Sequence, residues 1–111
     1  MNIQIFGKSK CFDTKKAQRY FKERGIKVQY IDLGKKAMSR GELNSVIAAV
    51  GGLASIIDET HPDAAVLRYL AYEDDKLEKL IEDPRLLNTP IVRNGRQATV
   101  GYQPDRWKTW S

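Results

Sequence analysis

Polar and apolar residues alternate from Asn2 to Phe6, the two-residue period of a strand. From Ala17 the period lengthens. Ala17, Tyr20 and Phe21 fall on one face of a helix, with Arg24 continuing the spacing, and Gly25 stands where a helix closes on a left-handed residue. Val28, Tyr30 and Asp32 then alternate with Lys27, Gln29 and Ile31, which predicts a second strand. Strand, helix and strand in this order form a βαβ unit whose strands run parallel.

The middle of the chain has helical spacing. Ser39 and Glu42 fit a capping box, with Leu43, Val46, Ile47 and Val50 as the buried stripe and Gly51-Gly52 as the stop. Leu53, Ile56 and Ile57 suggest a short further turn before a break from Glu59 to Pro62. Val66, Leu67 and Leu70 predict another helix, and Leu77, Leu80 and Ile81 one more, stopped at Asp83-Pro84. The last third changes period again. Residues Pro90 to Arg93 and Gln97 to Val100 flank Asn94-Gly95, a strong hairpin signal, and a closing helix starts near Pro104 with Trp107 and Trp110 free to pack on the sheet. The expectation is one α/β domain over residues 1–111, with a helical insertion at about 39–87. Its four-stranded mixed sheet is covered by helices on both faces, the outline of a thioredoxin-like fold.

Composition narrows the function classes. The 111 residues are 41% hydrophobic and 30% charged, ordinary globular material with a single modest core. The apolar stretch from Val46 to Ile57 is broken by two glycines and is too short to cross a bilayer, so no membrane role is expected. The net charge of +5 invites a nucleic-acid reading. Acidic clusters (Glu73, Asp74, Asp75; Glu78, Glu82, Asp83) dilute it, and neither an RNA-binding aromatic motif nor a zinc-finger set is present. The one histidine, His61, has no companions for a metal site. One cysteine cannot form an internal disulfide and no secretory leader precedes the first strand, so a cytoplasmic location is expected.

The chemistry concentrates at Cys11, the only cysteine, between the first strand and the first helix. Free backbone N–H groups and the dipole at a helix start favour an anion and raise the thiolate fraction. Lys8, Lys10, Lys15 and Lys16 lie within five residues of it and push the same way. The alternatives are ordinary: a lone cysteine as a small buried hydrophobe, the lysines as a solvated face, and Asp13 or Thr14 as helix-capping residues.

These residues resemble a known family, the ArsC/Spx branch of thioredoxin-like proteins, which includes glutaredoxin-coupled arsenate reductases. The resemblance is carried by Cys11 after the strand, Lys15-Lys16-Ala17, Arg24-Gly25-Ile26 and Ser39-Arg40-Gly41-Glu42-Leu43. At the far end it is carried by the block from Asp83 to Val92 and by Val100-Gly101-Tyr102. It implies a cis peptide bond at Thr89-Pro90, beside the cysteine. It also implies arginines for holding an oxyanion, at positions that Asp58, Thr89 and Tyr102 occupy here. An oxyanion needs charge-assisted partners, so arsenate is not the expected substrate. The C-x-x-C switch of Spx-type members is also missing, because Thr14 stands at its second position.

The resemblance and the residues leave two functions open. In the first, Cys11 is the catalytic residue of a monothiol oxidoreductase acting on small or protein-bound oxidised thiols. Lys8, Lys10, Thr14, Lys15, Thr89 and Pro90 then form the substrate side. No bound cofactor is expected, and glutathione or another thiol serves as co-substrate. In the second, the chain is an Spx-like interaction module that binds the RNA polymerase α subunit near the first helix and Gly52.

Overall fold

The computed structural model describes residues 1–110. Its elements are β1 (Ile3–Gly7), α1 (Phe12–Glu23), β2 (Val28–Asp32), α2 (Arg40–Val50), α3 (Glu73–Glu82), β3 (Ile91–Asn94), β4 (Gln97–Val100) and α4 (Pro104–Trp107), with short 3₁₀ segments between α2 and β3. The strands form one mixed sheet in the order β2-β1-β3-β4. β1 runs parallel to β2 and antiparallel to β3, and β3 pairs antiparallel with β4. The expected thioredoxin-like α/β sheet is present, with helices on both faces.

Strand parity divides the core. Ile3, Ile5 and Val92 point to one face, where they pack on Ala17, Tyr20 and Phe21 of α1 and on Trp107. Phe6, Ile31 and Ile91 point to the other, against Leu43 and Val46 of α2 and Leu77 and Leu80 of α3. Covered on both sides, β1 is buried at Ile3, Ile5, Phe6 and Gly7 and does not keep the polar face that a half-exposed strand would have. Trp107 sits among Tyr20, Phe21 and Tyr102, and its buried Nε1–H donates to Thr99 Oγ1 at 2.8 Å. The aromatic body fills the core while the polar tip stays satisfied.

The capping box is formed: Glu42 N donates to Ser39 Oγ, and Ser39 N to the Glu42 carboxylate. Three expectations are corrected. The stretch Pro62–Tyr69 is 3₁₀ helix rather than α-helix. Its three-residue period lines up Ala64, Leu67 and Leu70 toward the core and leaves Val66 exposed. The hairpin turns at Gly95-Arg96, one residue later than Asn94-Gly95, because Asn94 still pairs with Gln97. Only Gly95 has positive φ (61°), as a Gly-X type II′ turn requires. Neither Asp13 nor Thr14 caps α1; Cys11 itself holds the N-cap position.

The segment leading into β3 is tied to the helical half by Asn88. Its backbone N–H donates to Ile56 O at 2.8 Å, and its Nδ2 donates to the carbonyls of Ser55 and Ile57. Asn88→Ala orphans both carbonyls and is expected to cost about 1 kcal/mol, read from urea unfolding.

Candidate active site

Cys11 is the N-cap residue of α1. Its backbone there is extended (φ −85°, ψ 118°), and its side chain makes no capping hydrogen bond. The thiol is partly exposed and lies 3.6 Å from Thr89 O, toward which its S–H points. The Thr89–Pro90 bond is cis, as the resemblance implied. Burial pushes the Cys11 pKa up. Donors beside it that favour the thiolate, the Thr14 hydroxyl first, then Thr89 and the amides of Thr14 and Asp13, outweigh burial and leave the thiol below its ordinary value.

Thr14 is the most telling of these donors. It is 1% exposed, and its Oγ1 has no hydrogen-bond partner among the described residues. A buried hydroxyl without a partner is costly, and this one gains an acceptor when Cys11 ionises.

The lysines separate into distinct roles. Lys8 is half-buried, and its ammonium donates to Arg85 O at 2.9 Å and Leu87 O at 2.7 Å. It thereby bridges the cysteine loop and the segment that leads to Thr89-Pro90. Burial lowers its pKa, opposed by the charges of Asp58, Cys11 and Asp83. Lys15 lies over the exposed Phe12 ring, and Lys16 over the Tyr102 ring and beside Asp13. Lys10 is exposed and makes no ion pair among the described residues. Of the positions where the resemblance put arginines, Asp58 faces the Lys8 charge, Thr89 touches the thiol, and Tyr102 packs edge-on against Trp107.

Two members of the site were missed from sequence. Gly7 ends β1 directly over Thr14 and the Tyr30 ring, where a Cβ would stand 2.9 Å from Thr14 Oγ1 and 3.1 Å from Tyr30 Cε1. A glycine in a strand is the only signal of such a close approach. The Tyr30 pKa is pushed up by burial and then by the negative charges of Asp32 and Cys11. No group of three or more potential metal ligands occurs among the described residues, and no helix there is long and apolar enough to cross a membrane.

The model of the ArsC family matches residues 6–110, from the strand before the cysteine to the closing helix. The chain belongs to the ArsC family. Within it, this ArsC-family chain is 31% identical over 110 residues to global transcriptional regulator Spx 2 of Oceanobacillus iheyensis, covering 95% of the chain and 80% of that protein. It is 25% identical to the uncharacterized protein YusI of Bacillus subtilis, covering 97% of each. Among solved structures it is similar to an arsenate reductase from Vibrio cholerae, with a TM-score of 0.84 at 22% identity over 96% of the chain and 94% of that protein. That likeness carries the fold.

Proposed function

We propose that this ArsC-family protein is a single-cysteine thiol–disulfide oxidoreductase. The observation that supports the reading is a partly exposed Cys11 at the amino end of α1, its pKa lowered by hydrogen bonds that favour the thiolate. The thiolate attacks one sulfur of a disulfide, forming the mixed disulfide and expelling the other sulfur as thiolate. With no second cysteine, an external thiol such as glutathione releases the product and regenerates Cys11. The Thr89 N–H has no partner among the described residues and is free to receive a peptide backbone beside the reacting sulfur. Arsenate is not the substrate in this reading: Asp58, Thr89 and Tyr102 offer no guanidinium to an oxyanion, and Asp58 repels it. Incubation with small disulfides is expected to give a mass adduct on the Cys11 peptide, reversed by excess thiol and absent from Cys11→Ser. A folded protein that forms no adduct contradicts the reading.

The relation to Spx 2 favours a second reading, a regulator that acts through protein contacts. The partner that the resemblance implies is the RNA polymerase α subunit, met near α1 and Gly52. Because the chain has one cysteine, such binding would not answer to an internal disulfide. Co-purification with the polymerase, retained in Cys11→Ser, is the expected result of this reading. Failure of the two to associate contradicts it.

A further inference from the structure

Beside the cysteine loop, at the carboxyl ends of the parallel strands β1 and β2, lies a cleft of about 500 Å³ that the reaction above does not use. Its walls come from the loop (Lys8, Ser9, Lys10), from the end of β2 (Asp32, Leu33) and from the turn at Arg85. Several of its polar groups are already engaged. Lys8 is bound to backbone carbonyls, and Arg85 is forked onto Asp83 through Nε and Nη2 at 2.8 Å each. One cation, one anion and one hydroxyl remain. Lys10 has no ion pair and Ser9 no hydrogen bond among the described residues. Asp32 spends Oδ1 on the Gly34 amide at 2.9 Å, and its second oxygen has no partner among the described residues.

A cation and a carboxylate that line one cleft, neither in an ion pair among the described residues, match a group that carries both charges. An α-amino acid head does so, with its carboxylate for Lys10 and its ammonium for Asp32. Lys10 is the neighbour of Cys11, and the Cys11 N–H is turned back onto Lys8 O at 3.0 Å, so the cleft wall and the nucleophile share one tight turn.

We infer that this cleft is a subsite for the zwitterionic α-amino acid end of a disulfide substrate whose sulfur reacts at Cys11. The inference rests on the thiol–disulfide reading above and narrows its substrates to peptide-like disulfides with a free amino acid head. The exchange is balanced without another reactant. A sulfur–sulfur bond forms at Cys11, the substrate's own bond breaks, and the leaving thiolate carries the electron pair.

Asp32→Asn separates this subsite from general charge attraction. Asparagine keeps an oxygen for the Gly34 amide and removes only the charge. Oxidised glutathione is a net anion, so loss of a nearby carboxylate would speed its reaction if long-range attraction alone governed it. The subsite demands the opposite. The rate with oxidised glutathione relative to the neutral hydroxyethyl disulfide is expected to fall about tenfold, the size of one charge-assisted hydrogen bond. Lys10→Gln is expected to lower the same ratio. A ratio that stays constant or rises in Asp32→Asn, with both disulfides still reacting, overturns the subsite and leaves the thiol chemistry standing. A folded wild-type protein inert to both disulfides overturns the thiol reading and the subsite with it.

Discussion

Gly7→Ala is expected to destabilise the protein by about 2–3 kcal/mol and to raise the Cys11 pKa in the same step. The cause is space, since Gly7 is not among the glycines with positive φ. A methyl there overlaps Thr14 Cγ2, stands 2.9 Å from Thr14 Oγ1 and meets the Tyr30 ring at 3.1 Å. Thr14 is 1% exposed on the first turn of α1 and has no room to swing aside. Either α1 lifts from β1 or Thr14 leaves its rotamer, and both movements take its hydroxyl from the sulfur. Urea unfolding reads the first effect and the pH dependence of thiol alkylation the second. A stability within about 0.5 kcal/mol of wild type, the range of an innocuous surface change, would show that the contact is not as tight as the structure has it.

Thr14→Val is expected to move stability and reactivity in opposite directions. Valine keeps the shape and removes a hydroxyl that is buried without a partner in the thiol form. Leaving such a group unsatisfied costs about 1–3 kcal/mol, so the variant should be more stable by about 1 kcal/mol where Cys11 is protonated. The same change deletes the donor that lowers the Cys11 pKa most. The pKa should rise, and alkylation at neutral pH should slow. Thr14→Ser, which retains the hydroxyl, should recover much of the reactivity. A variant that loses stability and leaves the pKa alone would reduce Thr14 to packing. Stability given up for a poised active group is a common trade at catalytic sites.

What could be read from sequence was what is local. The βαβ unit, the capping box at Ser39 and Glu42 and the hairpin strands announce themselves through period and turn chemistry, which act over a few residues. The 3₁₀ stretch at Pro62–Tyr69 was misread because α and 3₁₀ helices share the i,i+3 spacing. Only packing decides which of Val66 and Leu67 turns inward. The hairpin turn slipped by one residue because Asn94 suits both a turn and a strand end, and its pairing with Gln97 belongs to the sheet.

Cys11 was legible as chemistry because a cysteine at a helix start needs no distant partner to be unusual. Its setting was not. Thr14 read both as a helix cap and as part of the substrate side, and the N-cap position proved to be held by Cys11. Gly7 meets Tyr30 only through the parallel register that puts Gly7 opposite Asp32. Lys8 finds its carbonyls 77 and 79 residues away. Such contacts come from topology, which residue spacing does not encode. The grouping of the lysines as one cationic field had the same origin: side-chain direction sends Lys15 to Phe12, Lys16 to Tyr102 and Lys8 to backbone carbonyls.

The central claim is that hydrogen bonds from the first turn of α1 and from Thr89 hold Cys11 ready as a thiolate. The most direct test is the rate of alkylation by neutral iodoacetamide against pH in the folded protein, with Cys11→Ser as the blank. The account predicts a midpoint below the free-thiol value of about 8.5, rising in Thr14→Val. A midpoint at or above that value, or a thiol that reacts only once the protein unfolds, would contradict it.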